Sequence, residues 1–532
     1  MNKGARWLAL MLCIIMLAAA VPAMAELNLL SGEGIYPLNT DQTLSWLVIG
    51  GPQVNAAFAS WQDSPFHTEL IAKTGVSIDW RFPPQGTTDT MQTVNLVMAS
   101  GDYPDIIFCD NAAFANQVSL FMEDGVVRDL TEKMPEWSPA YYDFLNTNEA
   151  YLRSKKTDEG KLYGYGFFRE DGGWNDTYLG PVVRQDWLDE QGLAAPTTIS
   201  EFENVIKVFK EKYNAPFGFA FSRFQSTGLS GAFGAYGFSD FQLFVDDNGK
   251  VQLAQAQPEW KNYIAKLNEW WEAGLLNQDI FTDTDVIEKT KALQGSVGIS
   301  LTSMGQMSNW RREAAEAGNG ADWVGLQYPH GDDGTLSMVF GGYGIGVGIS
   351  VITSACTDEK LETAMRLLDY AYTKEGFLYW NYGTEGVSWE YDAEGNPAYL
   401  PIVADDPDGL NAAIDKWGGS TWNGSCIQST LLLYLKNTQA SIDANDLWFY
   451  PNEDVSAKWK YPPGITPTAD EVLEIDEYQG QLNTYVPEMT AKFVTGAESL
   501  DNFDKFLSTL ESMHLSRVLE IRQAAYDRYL AR

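Results

Sequence analysis

Tryptophan residues in polar, glycine-rich surroundings are the residues of this chain with the most informative chemistry. The chain contains 18 Trp in 532 residues, and several lie in segments without helix or strand periodicity. In residues 417–424, Trp417 and Trp422 are surrounded by glycine, serine, threonine and asparagine. An aromatic ring in such a segment can stack on the C–H face of a sugar while neighbouring amides and carboxylates bind the hydroxyls. For any one ring, the alternative is ordinary core packing.

A candidate binding set follows from predicted loop position and side-chain chemistry. It combines aromatic rings with polar residues that follow short apolar runs, where predicted strands end. Its members are Gln53, Asn55, Asp110, Asn111, Trp174, Trp310, Tyr343, Trp417 and Trp422. The set predicts the binding of a polar solute, and it includes no catalytic residue and no metal ligand.

Signatures of common enzyme classes are absent from the sequence. It contains no phosphate-binding Gly-x-x-x-x-Gly-Lys-Ser/Thr loop, no His-Glu-x-x-His zinc motif and no Gly-x-Ser-x-Gly elbow. The three histidines, His67, His330 and His514, lie in unrelated contexts, which gives no support for a metal cluster or a Ser/His/Asp site. We therefore expect neither an enzyme activity nor a cofactor.

Carboxylates leave two alternatives open. Asp110, Asp171 and Glu385 lie at candidate strand ends or loops, and two such groups at a set separation could hydrolyse a glycosidic bond. A secreted carbohydrate-active enzyme is therefore the alternative function. Asp283 and Asp285 could help to bind calcium, but no full loop of oxygen ligands follows them, so a solvated turn is expected there.

The N-terminus has the pattern of a secretory signal peptide. Lys3 and Arg6 precede an apolar run over residues 7–21, and small residues at the end of the segment predict cleavage after Ala25. Cys13 follows large apolar residues rather than a small one, so we do not expect a lipid anchor there. The predicted location is therefore extracellular or in the cell envelope.

Charge, cysteine usage and length narrow the class further. The formal net charge is −36, and a surface this acidic repels nucleic acid and anionic lipid. Cys109, Cys356 and Cys426 are widely spaced and odd in number, which does not suggest a disulfide framework. The chain is too long for a single hydrophobic core and predicts at least two domains.

The first part of the chain alternates between the strand and helix periods. Strands are predicted over residues 44–49, 76–82 and 106–109, with helices over 66–74 and 90–100 between them. This alternation predicts a parallel or mixed α/β sheet.

Further helices are predicted later in the chain. They cover residues 200–213 with Ser200 as N-cap, then 259–273, 361–375 and 515–529. The polar, partly proline-rich residues 437–467 are predicted to form a long surface connection.

Seven sequence blocks, in order along the chain, carry a resemblance to a known family. The most specific reads VRQDWLDEQGLAAPTT over residues 183–198. The others are residues 98–105 (MASGDYPD), 160–164 (GKLYG), 267–276, 295–300, 381–386 and 523–529 (QAAYDRY). Together they resemble the family 1 extracellular solute-binding proteins of ABC importers, in particular the large type of Gram-positive bacteria.

The resemblance implies a two-lobed, periplasmic-binding-protein-like α/β fold, in which each lobe is a mixed sheet flanked by helices and a multi-segment hinge joins the lobes. It implies a first lobe from residues 26–168 and about 300–370, and a second from 169–299 and about 371–532 with the C-terminal helices. A carbohydrate, most often an oligosaccharide, would bind in the cleft, and the closed form would dock on the permease subunits of the importer. A monomer without nucleic-acid partners is expected. A receptor for peptides or another polar solute remains an alternative.

Overall fold

The computed structural model describes residues 27–49, 63–83, 90–110, 112–220, 229–336, 344–420, 424–455 and 459–532, so the predicted signal peptide lies outside it. The strands are β1 Thr43–Ile49, β2 Ser77–Arg81, β3 Ile106–Asp110, β4 Tyr165–Arg169, β5 Leu179–Arg184, β6 Phe217–Phe219, β7 Leu243–Val245, β8 Val251–Leu253, β9 Ile299–Ser303, β10 Trp323–Gly325, β11 Ile345–Ile352, β12 Trp389–Tyr391, β13 Pro397–Tyr399 and β14 Ile427–Gln428.

The helices of the described residues follow the same order. They are α1 Pro65–Thr74, α2 Thr90–Ser100, α3 Ala112–Glu123, α4 Met134–Trp137, α5 Pro139–Asn146, α6 Glu149–Ser154, α7 Gly172–Asp176, α8 Gln185–Gln191, α9 Ile199–Tyr213, α10 Pro258–Glu272, α11 Asp285–Gln294, α12 Met304–Ala317, α13 Asp358–Asp369, α14 Lys374–Tyr382, α15 Pro401–Ala404, α16 Leu410–Trp417, α17 Thr430–Lys436, α18 Gln439–Phe449, α19 Ala469–Thr495, α20 Phe503–Ser512 and α21 Leu515–Ala531. Within the described part of the chain, no helix has the length and apolarity needed to cross a membrane.

The first lobe is built on a mixed sheet with the strand order β14-β4-β11-β3-β1-β2. β1 pairs in parallel with β2 and β3, which places Trp46 opposite Trp80 with the two rings stacked 5.1 Å apart. β11 runs antiparallel between β3 and β4, so β3 and β4 point in the same direction. The predicted mixed α/β sheet is therefore confirmed, with strand and helix bounds close to those expected.

The second lobe is built on a smaller mixed sheet with the order β10-β5-β9-β6. β5 pairs antiparallel with β9 and β10, while β6 pairs in parallel with β9. Its core includes seven buried tryptophans, and among them Trp187, Trp260, Trp270 and Trp323 pack with the apolar faces of α9 and α10. The α/β class thus holds for both lobes.

The hydrophobic cores divide the chain at other points than the predicted domains. Residues from 299 to 328 pack in the second core, because β9 and β10 join the sheet of β5. Residues from 372 to 432 pack in the first core with β4 and β11. The sequence could not reveal this, because a short apolar strand carries no mark of the sheet that it joins.

Two local predictions are corrected. The N-cap of α9 is Thr198, whose side chain and Glu201 form a reciprocal capping box, whereas Ser200 donates to Asp332. Residues 437–467 are not simply a surface connection, because α18 lies within them and buries Ile442, Trp448 and other residues. Ser441 and Asn445 lie on the buried side of α18 and interrupt the apolar pattern that would have marked it in the sequence.

A connection between the lobes lies at the end of α21. Asp158, in a first-lobe turn, accepts hydrogen bonds from Arg528 and from Arg532 Nη2, the latter at 2.7 Å. The Arg532 side chain is 2% exposed and also donates to the carbonyl oxygens of Arg153 and Gly464. We call Asp158, Arg528 and Arg532 the C-terminal clamp.

The three cysteines in the described ranges, Cys109, Cys356 and Cys426, are buried and form no disulfide with one another. Burial raises the pKa of Cys356 to about 12 and that of Cys426 further.

Candidate functional site

The two sheets present their strand ends to the segments that join the lobes. β1, β3, β4 and β14 end at one edge of the first sheet, and β11 begins there. From this edge residues 170–178 lead to the edge of the second sheet at which β5 begins and β9 ends. Ligands of α/β proteins bind in the crevice outside such carboxyl ends. We call this region the interlobe crevice.

A buried ion pair organises the first crossing segment. Arg169 Nη1 donates to Asp176 Oδ1 at 2.6 Å, and the two side chains are 9% and 6% exposed. Asp176 Oδ2 accepts from the backbone N–H of Gly344, and the Gly344 carbonyl accepts from the Arg169 N–H at 2.8 Å. The pair therefore joins the end of β4 to the chain that enters β11.

Glu170 joins the first crossing segment to a second one at residues 429–433. Its Oε2 accepts from Ser429 Oγ at 3.0 Å and from the Thr430 N–H at 2.8 Å, at the N-terminus of α17. Asn175 Nδ2 donates to Thr430 Oγ1 at 2.9 Å. Burial raises the pKa of the Glu170 carboxyl, while the hydrogen bonds from Thr430 and Ser429 lower it. These groups hold the crossing segments together.

Trp174 lies in the first crossing segment, near the hinge as predicted, but its ring is covered by the protein. It stacks on Tyr434 with centroids 5.1 Å apart, and its Nε1 donates to Asp446 Oδ1 at 2.7 Å. Only 2% of Trp174 is exposed, whereas Tyr434 is half-buried. This differs from the prediction of an open ring, because α18 packs against α7.

Trp310 also differs from the predicted role. It is 1% exposed in the second core, with its ring edge-on to Trp323 at 5.2 Å. The apolar side of α12 carries it inwards with Met307 and Ala314. Core packing therefore accounts for this ring.

Trp417 and Lys436 present partly exposed groups at the crevice. Trp417 ends α16 and is half-buried against the first core. Burial lowers the pKa of Lys436. The negative charge of Asp415 raises this pKa, whereas the positive charge of Arg169 lowers it further. Asp415 is two residues from Trp417, so the ends of α16 and α17 lie close together.

The sequence reasoning missed Lys436, although one signal was present. Lys436 follows the run 431–435, which is almost entirely apolar, and in the described residues its ammonium group has no hydrogen-bond partner. A lysine that ends a buried helix can place its charge in a crevice between two lobes.

The other members of the predicted set are placed only in part. Asp110 ends β3 opposite Gly348, at the crevice edge of the first sheet. Gln53, Asn55, Asn111, Tyr343 and Trp422 lie outside the described residues. Ligand contact by these residues stays a prediction.

Two of the carboxylates considered for other chemistry have structural partners. Asp171 caps α7 by accepting from the Trp174 N–H at 3.3 Å. Asp283 accepts from Lys291 Nζ and from Asn277 Nδ2, both at 2.7 Å. Among the described residues no group of three or more His, Cys, Asp or Glu side chains could hold a metal ion.

Comparisons with known proteins agree with this architecture. The chain is 22% identical to the fructooligosaccharide ABC transporter substrate-binding protein FusA of Streptococcus pneumoniae, over 94% of this chain and 93% of the relative. It is 23% identical to the polygalacturonan/rhamnogalacturonan-binding protein YtcQ of Bacillus subtilis, over 98% and 99%.

Solved structures share the fold. The alginate-binding protein AlgQ2, in a crystal structure without calcium ion, superposes with a TM-score of 0.76 at 20% identity, covering 93% of this chain and all of the other. FusA of S. pneumoniae in complex with kestose gives a TM-score of 0.73 at 22% identity, covering 92% of this chain and all of the other. The family model of bacterial extracellular solute-binding proteins matches residues 67–388. The chain belongs to the bacterial extracellular solute-binding proteins, as its sequence blocks predicted.

Proposed function

We propose that this protein is the substrate-binding component of an ABC importer and that it captures an oligosaccharide in the interlobe crevice. One observation carries the proposal: over nearly its whole length the chain matches proteins named for binding fructooligosaccharides and polygalacturonan. The crevice supports it, because the charge of Arg169 at the end of β4 acts on Lys436, and so does that of Asp415, two residues before the half-buried Trp417 ring.

Capture would combine stacking with hydrogen bonds. The Trp417 ring would pack on the C–H face of one sugar unit, and the Lys436 ammonium group would donate to its oxygen atoms. Asp110 and the predicted residues Gln53, Asn55, Asn111, Tyr343 and Trp422 would add further contacts. A ligand that touches both lobes favours the closed arrangement, because it binds that arrangement more tightly.

The proposal includes location and partners. The exported chain would lose residues 1–25 and work outside the cytoplasm, delivering its ligand to membrane permease subunits. The family consists of binding proteins, and we expect the sugar to leave unchanged.

Calorimetric titration with a panel of oligosaccharides tests the proposal. The panel contains kestose, oligogalacturonides, alginate oligomers and N-glycan fragments, with dipeptides as the alternative ligand class. We expect one saccharide class to bind and Trp417→Ala to weaken that binding by about fivefold or more, since a lost stacking ring costs on the order of 1 kcal/mol or more. Trp137→Ala is the matched control. Trp137 is a half-buried ring of the same lobe that ends α4 and packs beside Lys133, the residue before that helix.

Three outcomes would contradict the proposal. Binding of peptides alone would replace the ligand class. Unchanged affinity in both Trp417→Ala and Lys436→Gln would move the site away from this part of the crevice. Release of shorter sugars, detected by chromatography of the panel, would favour the carbohydrate-active enzyme.

A further inference from the structure

A second cavity lies between α2 and α3 of the first lobe and α19 and α21 of the second. Its volume is about 350 Å³, within the range of small-molecule sites. Amide side chains from both lobes line it, among them Asn95, Asn116 and Asn483. Within the described part of the chain, none of these three amides has a hydrogen-bond partner. We call this cavity the α3–α19 pocket.

Arg522 lies at the floor of the pocket and is 6% exposed. Its Nη2 donates to Gln479 Oε1 at 2.8 Å, while its Nε–H has no acceptor among the described residues. A buried N–H without an acceptor is costly, and an oxygen atom of a ligand would remove that cost.

The charges of the pocket balance. Asp476 lies at the exposed rim and accepts from Gln117 Nε2 at 3.3 Å. Partial burial raises the pKa of the Asp476 carboxyl, while the positive charge of Arg522 acts in the opposite direction, and among the described residues no ion pair joins the two. The pocket therefore offers a separate donor and acceptor, with amides that both donate and accept. This combination fits the vicinal hydroxyls of a neutral sugar, whereas an anionic ligand would meet Asp476.

Gly480 keeps the pocket open. It lies inside the 27-residue helix α19, where glycine costs about 1 kcal/mol relative to alanine. A Cβ atom built on Gly480 would meet no atom within 4 Å, so packing does not require the glycine. A larger side chain would instead fill the pocket that Gly480 lines.

We propose that the α3–α19 pocket is a second saccharide-binding site, which holds one neutral hexose ring outside the interlobe crevice. The proposal adds a site to the proposed function and does not depend on which sugar the crevice takes. Because the walls belong to both lobes, occupation of this pocket and closure of the crevice influence each other reciprocally.

Saturation-transfer NMR with methyl α-D-glucopyranoside, methyl β-D-galactopyranoside and methyl α-D-mannopyranoside tests the proposal. At least one glycoside is expected to bind with a Kd on the order of 1 mM. Gly480→Leu fills the pocket and is expected to weaken that binding by at least about tenfold. Gln481→Leu, an exposed neighbour that does not line the pocket, is the matched control and should leave the Kd within about twofold. Circular dichroism checks that both variants fold.

Any one of four results would overturn the proposal. The first is that none of the glycosides binds, and the second is that Gly480→Leu binds them as the unchanged chain does. The third is that D-glucuronate or L-glutamine binds in their place, and the fourth is that Trp417→Ala removes the glycoside signal, which would assign that signal to the crevice. Failure here is distinct from failure of the proposed function, because oligosaccharide titration of Gly480→Leu reports on the crevice alone.

Discussion

Two sets of charged side chains connect the lobes, and they differ in whether their contacts depend on the arrangement of the lobes. Arg169 and Asp176 lie seven residues apart in one crossing segment, so they stay together when the lobes move. The C-terminal clamp joins Arg532 to Asp158, which is 374 residues away and belongs to the other lobe. The first set fixes the shape of a connection, and the second depends on how the lobes are arranged.

Removing the buried acid of the crossing segment should have the largest effect. Asp176→Asn leaves the Arg169 guanidinium without its carboxylate in a buried position, and we expect the free energy of unfolding to fall by about 3 kcal/mol or more. Denaturant unfolding measures this value. The control is Asp79→Asn, whose pair with Arg81 is 3.3 Å long and exposed, so its loss should cost less than about 1 kcal/mol. Equal losses in the two variants would show that burial does not set the strength of these pairs.

Breaking the clamp should have a smaller effect on stability and a larger one on lobe arrangement. Asp158→Asn removes a carboxylate shared by Arg528 and Arg532, and we expect a loss of about 2 kcal/mol. Small-angle scattering of the ligand-free chain should show a wider spread of lobe arrangements. Glu149→Gln, which removes an exposed pair with Arg153, is the control. If Asp176→Asn alone changed the scattering, the assignment of roles to the two sets would be reversed.

Asp369 is a buried carboxyl that has no ion-pair partner among the described residues, unlike Asp176 and Asp158. Asp369, in the first core, accepts the Tyr141 N–H at 2.7 Å, and burial raises its pKa to about 7. Because the pKa of Asp369 is higher in the folded than in the unfolded protein, the protonated carboxyl contributes to the free energy of unfolding. This contribution is complete below about pH 4 and is lost as the pH rises towards 7.

Between pH 6 and pH 8 the loss should amount to about 1.4 kcal/mol. Unfolding of the chain and of Asp369→Asn at both pH values measures it, because the asparagine does not titrate. An identical pH dependence in the two proteins would place the pKa of Asp369 near its ordinary value.

Much of the fold could be predicted because local patterns determine it. The helix over residues 90–100 and the strand from residue 106 have the predicted bounds, since turn residues separate their apolar runs. The membership of β9 and β11 in different sheets could not be predicted, because strand pairing depends on residues far away in the sequence. α18 was missed because small polar residues occupy part of its buried face.

The candidate site was less predictable than the fold. The sequence could mark Trp174, Trp310 and Trp417 as rings near loops, but it could not tell which rings other elements cover. α18 covers Trp174, the second core encloses Trp310, and Trp417 remains partly exposed. Lys436 lies at the crevice because the ends of α16 and α17 come together in the folded protein, and a sequence pattern does not show such a tertiary contact.

The buried thiols of Cys109, Cys356 and Cys426 have a consequence for the life of the protein outside the cell. Burial raises the pKa of Cys356 and Cys426, so these two thiols form almost no thiolate at neutral pH, and the thiolate is the form that reacts with oxidants and disulfides. The working lifetime of the protein in an oxidising medium would be set by how often it unfolds.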